Sequence, residues 1–131
     1  MSINRFINIS LLISWLAIMP VNTCAQVIIA NKEVPVDSLT IHLARSIFAG
    51  RTTSWPNGLP ITIFVFPDRD EKHVKFCSHA LSIFPRQLRR SWDRMIFTGI
   101  GDGPIIVINE NEMIKRVTST PGAIGYVINH N

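Results

Sequence analysis

The stretch Ile105–Ile128, IIVINENEMIKRVTSTPGAIGYVI, decides the fold class. Ile105-Ile106-Val107-Ile108 is a continuous apolar run, the pattern of a strand buried on both faces. Asn109 is a helix-capping residue, because its side chain accepts a bond from a free N–H of the first turn. Met113, Ile114 and Val117 then recur at helical spacing. Thr118 to Gly122 is a turn, and Ala123 to Ile128 reads as a closing strand. Strand, helix and strand in so short a span indicate an α/β unit.

Upstream, the same alternation repeats. Val27-Ile28-Ile29-Ala30 is another short apolar run, and Asn31 to Ser38 is a loop containing Pro35. Thr40 caps a helix carrying Ile41, Ala44, Ile47 and Phe48, which Gly50 stops as a left-handed residue. Trp55-Pro56-Asn57-Gly58 is a turn, and Ile61 to Phe66 is a strand. A charged loop, Asp68 to Lys72, enters a helix whose inner face is expected at Val74, Cys77 and Leu81, with Phe76 and Ala80 beside them. Pro85 opens the next helix, with Leu88, Trp92, Met95 and Ile96 on one stripe and Gly99 at its end. The expected order is β-α-β-α-α-β-α-β. It predicts a single three-layer α/β domain, a mostly parallel central sheet flanked by helices.

The chain has 131 residues, 47% of them hydrophobic, with 13 Lys and Arg against 9 Asp and Glu. This balance excludes wholesale disorder, and eight prolines with seven glycines in no period exclude a fibre. Two cysteines exclude a disulfide scaffold and a four-cysteine zinc site. The apolar excess is concentrated at the start. Arg5 precedes the run Phe6–Met19, Pro20 breaks it, and Thr23-Cys24-Ala25 supplies small residues before a cleavage point. Residues 1–25 therefore read as a secretory signal peptide and residues 26–131 as the folded, periplasmic domain. An uncleaved anchor and a lipid-attached Cys24 are the alternatives; the run is short for a span, and Asn22-Thr23 is a poor lead-in to a modified cysteine. Cleavage removes one base and no acid, so the domain keeps a small positive charge and one cysteine, Cys77. Its bases form no long tract with interleaved aromatics, so no nucleic-acid partner is expected. Membrane contact is expected only through the export signal.

Several motifs occur in one order: Val34-Pro35-Val36-Asp37-Ser38-Leu39-Thr40, Ile47-Phe48-Ala49-Gly50, Trp55-Pro56-Asn57-Gly58, Phe97-Thr98-Gly99, and Pro121-Gly122-Ala123-Ile124-Gly125-Tyr126-Val127. Together they resemble the phosphate-type solute-binding proteins of ABC uptake systems, members of the type II periplasmic binding superfamily. The resemblance covers nearly all of residues 27–128 and corresponds to about one lobe of the family's two-lobed clamshell. It implies a non-catalytic, exported binding domain without cofactor or metal, a small oxyanion as ligand and an ABC transporter as partner. In the family, a helix beginning Ser-Gly-Thr holds phosphate with its N–H groups and hydroxyls. Asp70, Glu71 and Lys72 stand at those positions here, and Phe66 stands where the family has an arginine. Asp70 and Glu71 repel an anion, so the ligand-site residues expected are Arg69, Asp70 and Lys72, holding some anion or none.

Other candidate chemistry is carried by the residues themselves. Arg86, Arg90 and Arg94 repeat at i, i+4 and i+8, with Arg89 beside them and Asp93 in reach. They form a solvated ridge, or a face that docks an acidic envelope protein or lipid headgroups. This face is the second functional reading, an interaction module. Cys77 and His73 lie at i and i+4, close enough to touch. A thiolate there would be a nucleophile, but the apolar stripe favours a buried thiol. His79 lies about 200° from Cys77 around a helix, so the three make no zinc site. His42 and His130 are read as surface residues, and Trp55 and Trp92 as core. Gly99–Gly103 neither follows a strand nor precedes a helix, so it is not a dinucleotide loop.

Overall fold

Ile28, Phe64 and Tyr126 mark three neighbouring strands of one four-stranded sheet. The computed structural model describes residues 25–35, 37 and 39–129. The expected signal peptide, apart from Ala25, and the expected surface residue His130 lie outside the described residues.

In chain order the elements are β1 (Ala25–Ala30), α1 (Ile41–Phe48), β2 (Thr62–Val65), α2 (Glu71–Phe76), a π-helical turn (Cys77–Leu81), α3 (Pro85–Phe97), β3 (Ile105–Ile106), α4 (Glu110–Ser119) and β4 (Ala123–Asn129). The sheet order is β1-β4-β2-β3. β4 runs parallel to β2, with Thr62 beside Ala123, and β2 runs parallel to β3, with Phe64 beside Ile105. β1 is antiparallel to β4 over the register Ala25↔Asn129 to Ala30↔Ile124, the longest pairing of all. Two of the three pairings are parallel, as expected, and the antiparallel β1 makes the sheet mixed. Continuous apolar runs predict burial on both faces but carry no sign of direction, so β1 was not distinguishable from a parallel strand.

Successive residues of β4 face opposite sides. Gly125 lies under α4, where a Cβ would stand 2.6 Å from Met113 Sδ and 3.0 Å from Val117 Cγ2. Tyr126 lies on the other side, stacked on Phe76 at 3.8 Å between ring centroids and edge-on to Phe48 and Phe66. Helices thus cover both faces; Phe48, Phe66 and Phe76 gather around Tyr126, whereas Phe64 lies on the α4 side under the Arg116 guanidinium. Trp55 and Trp92 are buried with them, as expected. Trp92 Nε1 donates to the Phe48 carbonyl at 2.6 Å, tying α3 to the end of α1. Trp55 Nε1 donates to the Gly122 carbonyl at 2.9 Å, joining the two turn motifs.

Local signals set the helix ends. Thr40 Oγ1 accepts from Leu43 N, Asp70 Oδ1 from Lys72 N and Asn109 Oδ1 from Glu112 N. Gly50 and Gly99 follow α1 and α3 with φ of +79° and +72°. The second apolar run is corrected: only Ile105 and Ile106 pair as strand, at the sheet edge, and both are exposed, while Val107 is buried. An edge strand has no neighbour to cover it, and periodicity does not distinguish edge from centre. Val74 is also exposed, and His73 takes the inward position expected for it.

Candidate functional site

The loop Pro67–Asp70 leaves the C-terminal end of β2 and starts α2, the place where open α/β sheets present ligands. Asp68, Asp70 and Lys72 already have partners there. Asp70 caps α2, and its carboxylate also takes Lys72 Nζ at 3.3 Å. Lys72 Nζ stands 4.8 Å over the Phe66 ring. Asp68 accepts two bonds of 2.8 Å from Arg89 of α3, one from Nε and one from Nη2. Those bonds hold the Asp68 carboxyl below its usual range and raise Arg89 in turn. Arg89 also lies over Trp92, 5.1 Å from the ring. Of the expected ligand residues, Asp70 and Lys72 come together, with each other rather than around a gap. Arg69 is exposed beside them. The helix start therefore already holds a negative charge, the one its dipole favours.

Behind this loop lies a buried polar chain. Phe66 N–H donates to Tyr126 Oη at 3.1 Å, and Tyr126 Oη meets His73 Nδ1 at 2.6 Å. His73 Nε2 meets Cys77 Sγ at 3.4 Å. Tyr126 Oη already accepts from Phe66 N–H, so the arrangement that also gives the phenol proton an acceptor has it donating to Nδ1, with Nε2–H donating to the sulfur. Burial lowers His73, so the imidazole is neutral, although Asp68 opposes this. Burial also pushes the Cys77 thiol up to about 12 and raises Tyr126. His73 and Cys77 touch, as their spacing predicts, but a buried neutral thiol is a poor nucleophile. Sequence reasoning did not find the Tyr126–His73 bond or the Asp68–Arg89 pair. Their partners lie 53 and 21 residues apart, and periodicity carries no signal for either.

Two concavities flank the loop Gly99–Gly103. A cleft of about 390 Å³ at the N-terminal ends of β2 and β3 is lined by Thr52, Thr53, Thr62, Met95 and Asp102 among others. Its one charged side chain is a carboxylate, which does not suit an anion. A shallower groove of about 270 Å³ lies between the C-terminal ends of α1 and α3, lined by Arg51, Ser91, Arg94, Met95, Thr98 and Ile100. Arg86, Arg90 and Arg94, the expected partner-binding residues, are all exposed along α3. His42 and His79 are exposed. Among the described residues, no group of three or more metal-ligating side chains comes together. No helix there is long and apolar enough to cross a membrane. No protein-family model matches the chain, and no curated protein matches it.

Proposed function

We propose that the chain is an exported, non-catalytic recognition domain, resembling one lobe of a phosphate-type solute-binding protein, that no longer captures free phosphate. The observation that carries this reading is Asp70, whose carboxylate caps α2 and pairs with Lys72 where the family's phosphate would sit. An incoming anion would meet the Asp70 carboxylate at the helix start, with Lys72 and Arg89 already paired and the exposed Arg69 as the remaining cation of the loop. The buried thiol and imidazole favour a binding role over a chemical one. The signal layout of residues 1–25 supports a periplasmic setting, where an ABC transporter or another envelope protein is the partner class.

Calorimetric titration of the exported chain with phosphate, sulfate and arsenate is expected to give no binding heat. Stoichiometric heat that Asp70→Ser strengthens by less than tenfold would overturn the reading, because it would place an intact anion site elsewhere. The same heat with a strong gain on Asp70→Ser would place the site at α2 and also overturn it.

A further inference from the structure

The outer face of α3 combines two properties that seldom share a solvated surface. Arg86, Arg90 and Arg94 are exposed, and no carboxylate among the described residues pairs with any of them. Arg51 joins them across the groove it lines with Arg94. Phe97 belongs to the same face. At 100° per residue it falls about 20° from Arg86 and about 20° from Arg90 around the helix. It is 93% exposed, and Ile100, which lines the groove with Arg94, is 67% exposed. Asp93, the acid of this helix, lies on the same face, about 20° from Arg86 and about 40° from Phe97; Arg89 Nη1 stands 4.0 Å from its carboxylate, and the face keeps a surplus of positive charge.

We infer that this face docks on an anionic lipid bilayer, with the guanidinium groups on headgroup phosphates and Phe97 and Ile100 inserted among the chains. A solvated ridge accounts for the arginines but not for a fully presented phenyl ring among them. An acidic protein surface would pair the charges and leave the ring and Ile100 against polar groups. The two properties together match the boundary between headgroups and hydrocarbon. The groove hydroxyls of Ser91 and Thr98 donate to the Gln87, Arg94 and Met95 carbonyls, so the arginines remain the phosphate donors. This surface does not include Asp70 and does not depend on how the α2 start treats free phosphate.

The test is co-sedimentation of the exported chain with vesicles of phosphatidylcholine alone and of phosphatidylcholine with phosphatidylglycerol. Binding to the anionic vesicles only, weakened by added salt, is expected. Each arginine near such a surface is worth about fivefold in partition, so Arg90→Gln with Arg94→Gln should weaken binding roughly 25-fold. Phe97→Ala should weaken it about tenfold or more. Lys32→Gln with Lys115→Gln removes the same charge from exposed positions off this face and should change it by less than about fivefold. All these side chains are exposed, so circular dichroism should show unchanged folding. No binding to anionic vesicles would overturn the inference. So would equal losses in the two charge pairs, full binding by Phe97→Ala, or binding only to an acidic protein.

Discussion

Gly122 accepts two bonds at its carbonyl, from Trp55 Nε1 at 2.9 Å and from Thr62 N at 3.2 Å. Its φ is +74°, and a Cβ there would overlap the Pro60 carbonyl oxygen. Gly122→Ala therefore combines backbone strain with a clash against main chain, which cannot rotate away. We expect it to cost about 3 kcal/mol or more in urea unfolding. Trp55→Phe should cost about 1–3 kcal/mol, since it leaves that carbonyl with one donor fewer. The turn residues were legible in the sequence, because Pro-Asn-Gly and Pro-Gly have local conformational causes. His73 was not. A pattern that counts apolar residues puts Val74 inside, whereas the Tyr126 hydroxyl on a distant strand makes the imidazole the better-satisfied buried group.

At the scale of elements, the junction of β3 and α4 is held by a reciprocal pair. Asn109 Oδ1 accepts from Glu112 N at 2.8 Å, and Glu112 Oε2 accepts from Ile108 N at 2.9 Å. Asn109→Ala should cost about 1 kcal/mol and Asn109→Ser much less, measured by thermal unfolding of the two variants. The pair also shields the sheet margin. Pro104 precedes the two-residue β3 and has no N–H to offer, and Glu112 covers the N–H of Ile108 just beyond it. That leaves little unpaired backbone to attract another strand, although Ile108 is 75% exposed. Helix ends were readable because caps act over three or four residues. The short extent of β3 was not, since an edge position depends on which strands lie beside it. The extra residue of the Cys77–Leu81 turn, closed by Ser82 at φ +54°, likewise leaves no mark in the sequence period.

For the molecule as a whole, the buried chain and its neighbours set the response to acid. The folded state keeps His73 neutral, whereas the unfolded chain takes up a proton once pH falls below 6.5. The unfolded state then binds more protons, so stability declines as pH drops from 6.5 toward the lower folded value. Asp68, held below 3.8 by Arg89, adds a second loss below that pH. Urea midpoints should therefore be flat between neutrality and the approach to 9.0, fall in two stages on acidification, and fall again above 9.0, where the unfolded Cys77 thiol ionises and the buried one does not. His73→Asn should remove the slope of the first stage while leaving the second, whatever its effect on absolute stability. A first stage of unchanged slope in that variant would show that another group controls it. The candidate site divides in the same way. The charged loop and the arginine ridge were legible as residues, because exposed charges follow local pattern. Their pairings were not, because Asp68 and Arg89 meet only after β2 and α3 have been placed by the core.

The sheet order β1-β4-β2-β3 puts the last strand of the described chain between two that precede it. Until β4 is present, β1 has no neighbour, and β2 has only the two-residue partner β3. Trp55 likewise lacks its acceptor until Gly122 arrives. Among the described strands, those that precede β4 therefore pair with one another only through the short β2–β3 ladder. The chain's own topology delays closure of the sheet until Ala123–Asn129 can take their place between β1 and β2.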